Sequence, residues 1–164
     1  GQGACDSSMR HMRRRGLVEP IKEFIASGKP FFGVCLGLQL LMEDSEEGDE
    51  PCLAVLKGST RRLPSGLKIP HMGWNQVEFR RQHPVLDGIP SGSHFYFVHS
   101  YYADPEDTSI IAGTTTYGVE FCSAVAWENV VAVQFHPEKS GAVGLKIYDN
   151  FVGLVEGSKR HGTQ

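Results

Sequence analysis

The stretch Lys29-Pro-Phe-Phe-Gly-Val-Cys-Leu-Gly-Leu-Gln-Leu-Leu-Met-Glu43 constrains the fold of this chain more than any other. Its apolar run, Phe31 to Val34, is bounded by Gly28 and Pro30 and followed at once by a helical repeat of Leu36, Leu40 and Leu41. An unbroken apolar strand is buried on both faces, the pattern of a parallel sheet covered by helices. Strand passes into helix with no room for a loop, and Cys35 stands on the corner between Gly33 and Gly37. The form G-x-C-x-G reads as a nucleophile elbow with sulfur in place of oxygen. Such a turn strains the backbone of the nucleophile, and small neighbours let the chain pass close beneath it. It also sets a thiol at a helix N-terminus, where unpaired N–H groups favour the thiolate. A buried structural cysteine in an ordinary strand–helix turn satisfies the same letters, so the elbow alone leaves both readings open.

A second signal lies a hundred residues on. Val130-Val-Ala-Val-Gln-Phe135 is a strand of β-branched and aromatic residues that runs straight into His136-Pro137-Glu138. Residues two apart in extended backbone point to one side, so His136 and Glu138 share a face. Pro137 removes a ladder donor and marks the strand end, where site groups of open α/β sheets gather. A cysteine, a histidine and a carboxylate so placed suit a base that takes the thiol proton and an acid that orients the imidazole. Taken singly, His136 is more often a strand-end histidine in a polar contact; with the elbow, the catalytic reading leads.

At 164 residues one domain, 1–164, is expected. A formal charge of -3 argues neither for nucleic acid nor for an anionic membrane surface, and neither partner is expected. Cys5, Cys35, Cys52 and Cys122 form no C-x-x-C pair and have no histidine at metal spacing, so no metal is expected and a reducing, cytoplasmic setting fits. Asp6, Ser7 and Ser8 offer N-caps for a helix over 9–15, and a second helix is expected over 19–27. The cluster Arg10, His11, Arg13, Arg14 and Arg15 reads as a solvated helix face. In the acidic run 43–50, Glu47 is the candidate carboxylate for a substrate ammonium, with plain solvation the usual explanation of such a run. Strands are expected over 59–63, 74–80, 94–102 and 109–116, then a hairpin of 123–127 with 130–135 around Glu128-Asn129. A last helix over 142–155 leads into a polar, frayed tail, 157–164.

Gly33-Val-Cys-Leu-Gly-Leu-Gln39, His99-Ser100-Tyr101 and His136-Pro-Glu138 resemble the three signatures of the class I (triad) glutamine amidotransferases. Within that family, Pro70-His-Met-Gly-Trp-Asn75, His136-Pro-Glu-Lys-Ser140, Gly144-Leu145 and Asn150-Phe151 resemble the glutaminase subunits of imidazole glycerol phosphate synthase. The resemblance implies an α/β fold, an open mixed, mainly parallel sheet flanked by helices, flavodoxin-like. It implies Cys35 as nucleophile, His136 as acid–base and Glu138 as its orienting carboxylate. It also implies backbone N–H groups of Gln2 and Leu36 as oxyanion donors, and Gly3, Gln39, Glu47, Ser100 and Tyr101 as substrate contacts. No metal or organic cofactor is implied. Family members begin well before Gly1-Gln2-Gly3, so the sequence is expected to be truncated at the N-terminus, without its first β/α elements. The implied partner is a cyclase subunit with a (β/α)8 barrel, joined as a heterodimer and fed with ammonia, and Trp74, Tyr96 and Lys139 are the interface candidates. Three other readings stay open: the glutaminase subunit of another amidotransferase (anthranilate or GMP synthase type), a γ-glutamyl hydrolase, and an inactive partner-binding fragment.

Overall fold

The computed structural model describes residues 3–161. Two helices open it, α1 (Cys5–Arg14) and α2 (Val18–Ala26), each closed within two residues by a glycine at positive φ, Gly16 and Gly28. Strand β1 (Phe31–Val34) and a single helical turn, α3 (Leu36–Gln39), follow with only Cys35 between them. Then come β2 (Asp44–Ser45), β3 (Gly58–Arg62), β4 (His71–Gln76), β5 (Glu78–Phe79), β6 (His94–His99), β7 (Tyr101–Pro105), β8 (Ile111–Tyr117), β9 (Val119–Trp127) and β10 (Val130–Val133). A 3-10 turn, Pro137–Lys139, leads into the long helix α4 (Gly141–His161).

The main sheet has the order β1-β10-β9-β8-β5; β2-β3-β7 and β4-β6 form two smaller sheets. It is the open mixed sheet of an α/β fold, but its parallel pairing is confined to β1 with β10 rather than making up most of the sheet. The reason is local: β8, β9 and β10 follow one another through tight turns at Gly118 and Glu128-Asn129, and a tight turn can only reverse the strand. All four residues of β10 are buried and alternate between two layers, Val130 and Ala132 packed among Met9, Ile25, Leu38 and Leu41, and Val131 and Val133 among Phe95, Phe97, Phe135 and Ile147. The sheet therefore divides two apolar layers, α1, α2 and α3 on one face and α4 on the other. Among the described residues no helix is long and apolar enough to cross a membrane.

Several elements depart from the expected ranges. Helix α1 starts at Cys5, so Asp6 lies inside its first turn; its carboxylate accepts the N–H groups of Asp49 (3.2 Å) and Glu50 (3.1 Å), tying the acidic loop to the helix. The expected strand 94–102 is two strands broken at Ser100, β6 pairing with β4 and β7 with β3. The expected strand 74–80 breaks at Val77, which is fully buried. Helix α4 continues to His161, into the stretch expected as a tail, where Glu156, Lys159 and Arg160 are polar yet good helix formers. Residues 162–164 of that tail lie outside the described residues.

One glycine fixes how α4 meets the rest. A Cβ at Gly144 would overlap the Pro137 carbonyl and crowd the Ser140 side chain, so only glycine lets α4 run directly beneath the turn that carries His136 and Glu138. Gly144→Ala is expected to lower stability by about 1–3 kcal/mol, the usual cost of forcing a close-packed contact apart. Urea unfolding read by fluorescence checks this; an unchanged midpoint would contradict the close approach.

Candidate active site

Cys35 adopts φ 55 and ψ -104, the strained backbone expected of an elbow. A non-glycine residue there costs on the order of 1–3 kcal/mol, held in place by what surrounds it. Its N–H extends the β1–β10 ladder by one bond, to the Val133 carbonyl at 2.7 Å. The sulfur lies 3.8 Å from the Val98 carbonyl and accepts from the Gln134 side-chain amide at 3.5 Å. Burial pushes the thiol above its ordinary value, while the Leu36 N–H and the Gln134 amide pull it back down.

The His136–Glu138 pair is made. His136 Nδ1 lies 2.6 Å from Glu138 Oε1, so the proton sits on Nδ1 and the lone pair on Nε2. That Nε2 is buried and has no hydrogen-bond partner among the described residues. It makes no hydrogen bond to Cys35 Sγ. A buried imidazole nitrogen without a partner is costly, and such atoms concentrate where a proton must come and go. Burial pushes the Glu138 carboxyl up, but its own backbone N–H, His136 and the Tyr148 hydroxyl (3.3 Å) outweigh it and leave the acid below its ordinary value. Ser140 anchors the turn from behind: its hydroxyl donates to the His136 carbonyl (2.6 Å) and accepts the Tyr96 N–H (2.9 Å).

A cavity of about 320 Å³ opens beside the sulfur, lined by Gly3, Cys35, Leu36, Gln39, Glu47, Pro70, Val98, His99, Ser100 and Tyr101. Every expected substrate contact, Gly3, Gln39, Glu47, Ser100 and Tyr101, is in that wall. Gln2 lies outside the described residues, and His136 and Glu138 are not part of the wall. Burial raises the Glu47 carboxyl above its ordinary value, the Cys5 N–H lowers it and Asp6 raises it further. Among the described residues Glu47 forms no salt bridge, which suits a carboxylate that takes a cationic ligand. No group of three histidine, cysteine or acidic residues among the described residues could hold a metal.

Four polar residues escaped the sequence analysis as functional: His99 in this wall, and Gln134, His71 and Tyr148 outside it. Gln134 had a findable signal, since it alternates with His136 on the side of β10 that faces α3. His71 and His99 had none, because their contact depends on β4 pairing with β6 in a register that sets them opposite each other. His99 Nδ1 donates to the Tyr101 carbonyl (2.8 Å), His71 Nδ1 donates to His99 Nε2 (2.8 Å), and Asn75 Nδ2 donates to His71 Nε2 (3.2 Å). On the outer side of the same strand pair, Trp74 packs on Tyr96 (ring centroids 6.1 Å), and Lys139 Nζ stands 6.0 Å over the Tyr96 ring. Met72 and Trp74 are 62% and 56% exposed, an apolar pair next to the His136–Glu138 turn.

Comparison with solved structures shows the fold first, which this chain shares with two proteins described as glutamine amidotransferases. A glutamine amidotransferase from Thermotoga maritima superposes with TM-score 0.65 at 21% identity, covering 97% of this chain and 62% of that one. A second glutamine amidotransferase superposes with TM-score 0.70 at 19% identity, covering 94% and 76%. The family model for glutamine amidotransferase class-I matches residues 6–153. The imidazole glycerol phosphate synthase subunit HisH of Dehalococcoides mccartyi is 51% identical over 161 residues, 98% of this chain and 78% of that protein. The HisH subunit of Nostoc punctiforme is 52% identical over 159 residues, 94% of this chain and 75% of that protein. The chain belongs to the class-I glutamine amidotransferase family and, within it, to the HisH subunits of imidazole glycerol phosphate synthase.

The buried histidine pair makes stability depend on acid. Burial lowers both imidazoles from 6.5 to about 4; for His99 the Tyr101 carbonyl opposes this, while His71 and His136 add to it. A base whose folded value is depressed contributes stability that is complete above its unfolded value and lost as pH falls through the folded one. Stability is therefore expected to decline between pH 6.5 and about 4, and His71→Phe to make that decline shallower. Urea midpoints across this range check it; equal slopes in both chains would contradict it.

Proposed function

We propose that this chain hydrolyses glutamine to glutamate and ammonia and passes the ammonia to a cyclase subunit, as the glutaminase half of an imidazole glycerol phosphate synthase in histidine biosynthesis. The observation that carries the reading is Cys35 itself: a thiol on a strained elbow, in the wall of a cavity that also presents the Gln39 amide, the Glu47 carboxylate and Ser100. Identity near 50% with HisH subunits, over almost the whole chain, supports the synthase assignment.

In this reading the Cys35 sulfur attacks the side-chain carbonyl carbon of glutamine as its proton passes to His136 Nε2. His136 then gives that proton to the departing nitrogen, and ammonia leaves. Glu138 keeps Nδ1 protonated and steadies the imidazolium that forms between the two transfers. The oxyanion of each tetrahedral intermediate is met by the Leu36 N–H and, from the resemblance, by that of Gln2. Water enters the γ-glutamyl thioester with His136 as base and releases glutamate, returning the thiol. Glu47 takes the substrate ammonium, and Gln39, Ser100 and Tyr101 hold the rest of the amino acid.

Free ammonia in neutral water is mostly ammonium and no nucleophile, so the product must reach a partner before it meets solvent. The exposed Met72 and Trp74, with Tyr96 and Lys139 beside the Glu138 turn, are the proposed docking surface for a (β/α)8 cyclase subunit in a heterodimer. The four free cysteines support a reducing, cytoplasmic setting.

Cys35→Ala is expected to abolish glutamate release, by on the order of 10³-fold or more, while leaving partner binding intact. Glutamate assays and co-purification with the cyclase subunit check both halves; hydrolysis retained by the alanine chain would remove Cys35 from the role. Trp74→Ala is expected to weaken association roughly tenfold or more, as an exposed aromatic anchor does. Titration calorimetry with the cyclase subunit reads this, and an unchanged affinity would move the docking surface elsewhere.

A further inference from the structure

The lone polar side chain in the apolar sweep of β10 and Phe135 is Gln134, and it is fully buried. It lies one residue past the last β1–β10 pair, Val34 with Val133, directly alongside Cys35. A buried carboxamide needs partners for both its ends, and the neighbours of Gln134 decide which end points where. The Tyr101 carbonyl can only accept, so the atom of Gln39 facing it at 2.9 Å is Nε2. The second hydrogen of that same nitrogen faces Gln134 at 3.2 Å, where only an oxygen can receive it. Gln134 therefore presents Oε1 to Gln39 and has Nε2 left for the sulfur, at 3.5 Å. The rest of the chain of donors holds this orientation. Cys5 Sγ donates to Gln39 Oε1 (3.9 Å), and His99, set by His71, donates to the same Tyr101 carbonyl.

We propose that Gln134 is a further catalytic residue: its side-chain amide donates to the Cys35 sulfur and stabilises the thiolate, with Gln39 locking the orientation that makes this possible. As a neutral thiol, Cys35 can give its proton to the Val98 carbonyl. Once that proton has left, the carbonyl faces a negative sulfur and repels it, while the Gln134 donor gains strength from the charge. The amide thus favours the charged form at a buried position that otherwise opposes it. Gln39 does two things at once, contributing to the cavity wall and, through Gln134, to the state of the nucleophile. The proposal rests on Cys35 being the nucleophile, the reading given above.

Other titratable groups stand around the sulfur, and the substitutions leave each of them in place. His136 and Glu138 follow β10, His99 ends β6, and Glu47 stands in the cavity wall beyond α3. The experiment is the pH dependence of Cys35 alkylation by iodoacetamide in the intact chain, with the modified cysteine located by mass spectrometry. Gln134→Leu is expected to move the midpoint up by about one pH unit, the scale of one lost hydrogen bond to a charge, and to slow alkylation about tenfold at neutral pH. Thr115→Val removes a buried hydrogen bond to Ser123 (2.8 Å) on the neighbouring strands and is expected to leave the midpoint where it is, which separates loosened packing from a lost donor. Gln134→Met, unbranched and without donors, repeats the test should the leucine chain fail to fold. The unmutated chain gives a readout independent of both: the Gln134 side-chain amide resonances are expected to shift with the same midpoint as alkylation. A folded leucine or methionine chain with an unmoved midpoint, or amide signals that stay flat through the alkylation midpoint, overturns the assignment. Alkylation needs no glutamine turnover, so that result would leave the glutaminase reading standing; a Cys35→Ala chain that still hydrolyses glutamine would instead remove the reading beneath the proposal.

Discussion

Parallel pairing of β1 with β10 sets Phe31 opposite Val130 and Val34 opposite Val133, and the Cys35 N–H carries the ladder one bond further. Everything at the site depends on that register. Side chains alternate along a strand, so Gln134 and His136 reach the α3 side only because Val131, Val133 and Phe135 are claimed by the opposite apolar layer. A slip of one residue would bury Gln134 and His136 beneath α4 and turn Phe135 toward the sulfur. The apolar packing on the two faces of the sheet is thus what aligns the polar chemistry at its end. The strain at Cys35 is sustained by the same pairing, which fixes the backbone on both sides of the turn.

Beyond the sheet end, a second polar layer keeps the first in place. Tyr148 from α4 and the backbone of the Pro137–Lys139 turn hold Glu138, and Ser140 ties that turn to β6. On the far side, the pairing of β4 with β6 buries two neutral histidines end to end, which is stable only because each ring nitrogen is satisfied. This chain of bonds starts at Asn75 on the strand that also carries Trp74, and it ends at Tyr101 in the cavity wall. The exposed apolar face and the cavity are therefore two sides of one thin layer, a geometry suited to a subunit whose product must leave toward a partner.

Much of this was legible in the letters of the chain because it is local. The apolar run 31–34 with glycines at 33 and 37 specifies the elbow, and period-two spacing ties His136 to Glu138. Families of motifs then supplied Gln39, Glu47, Ser100 and Tyr101, which meet in one cavity. What could not be read is what long-range pairing creates. The break at Ser100 comes from β6 and β7 joining different sheets, which no local propensity encodes. The partnership of His71 with His99 needs a strand register, and the locked amide of Gln134 needs Gln39 from a helix ninety-five residues away. Asp6 read as a helix cap but serves the acidic loop, because α1 begins earlier than its capping residues implied.

The central claim is that the sulfur at 35 carries the reaction covalently. Acid-quenched mass spectrometry of the chain during glutamine turnover with its cyclase subunit tests it most directly. The account predicts a γ-glutamyl adduct on the peptide that contains Cys35 and on no other cysteine. Glutamate formed steadily with no such adduct, or with the adduct on Cys5, Cys52 or Cys122, would contradict it.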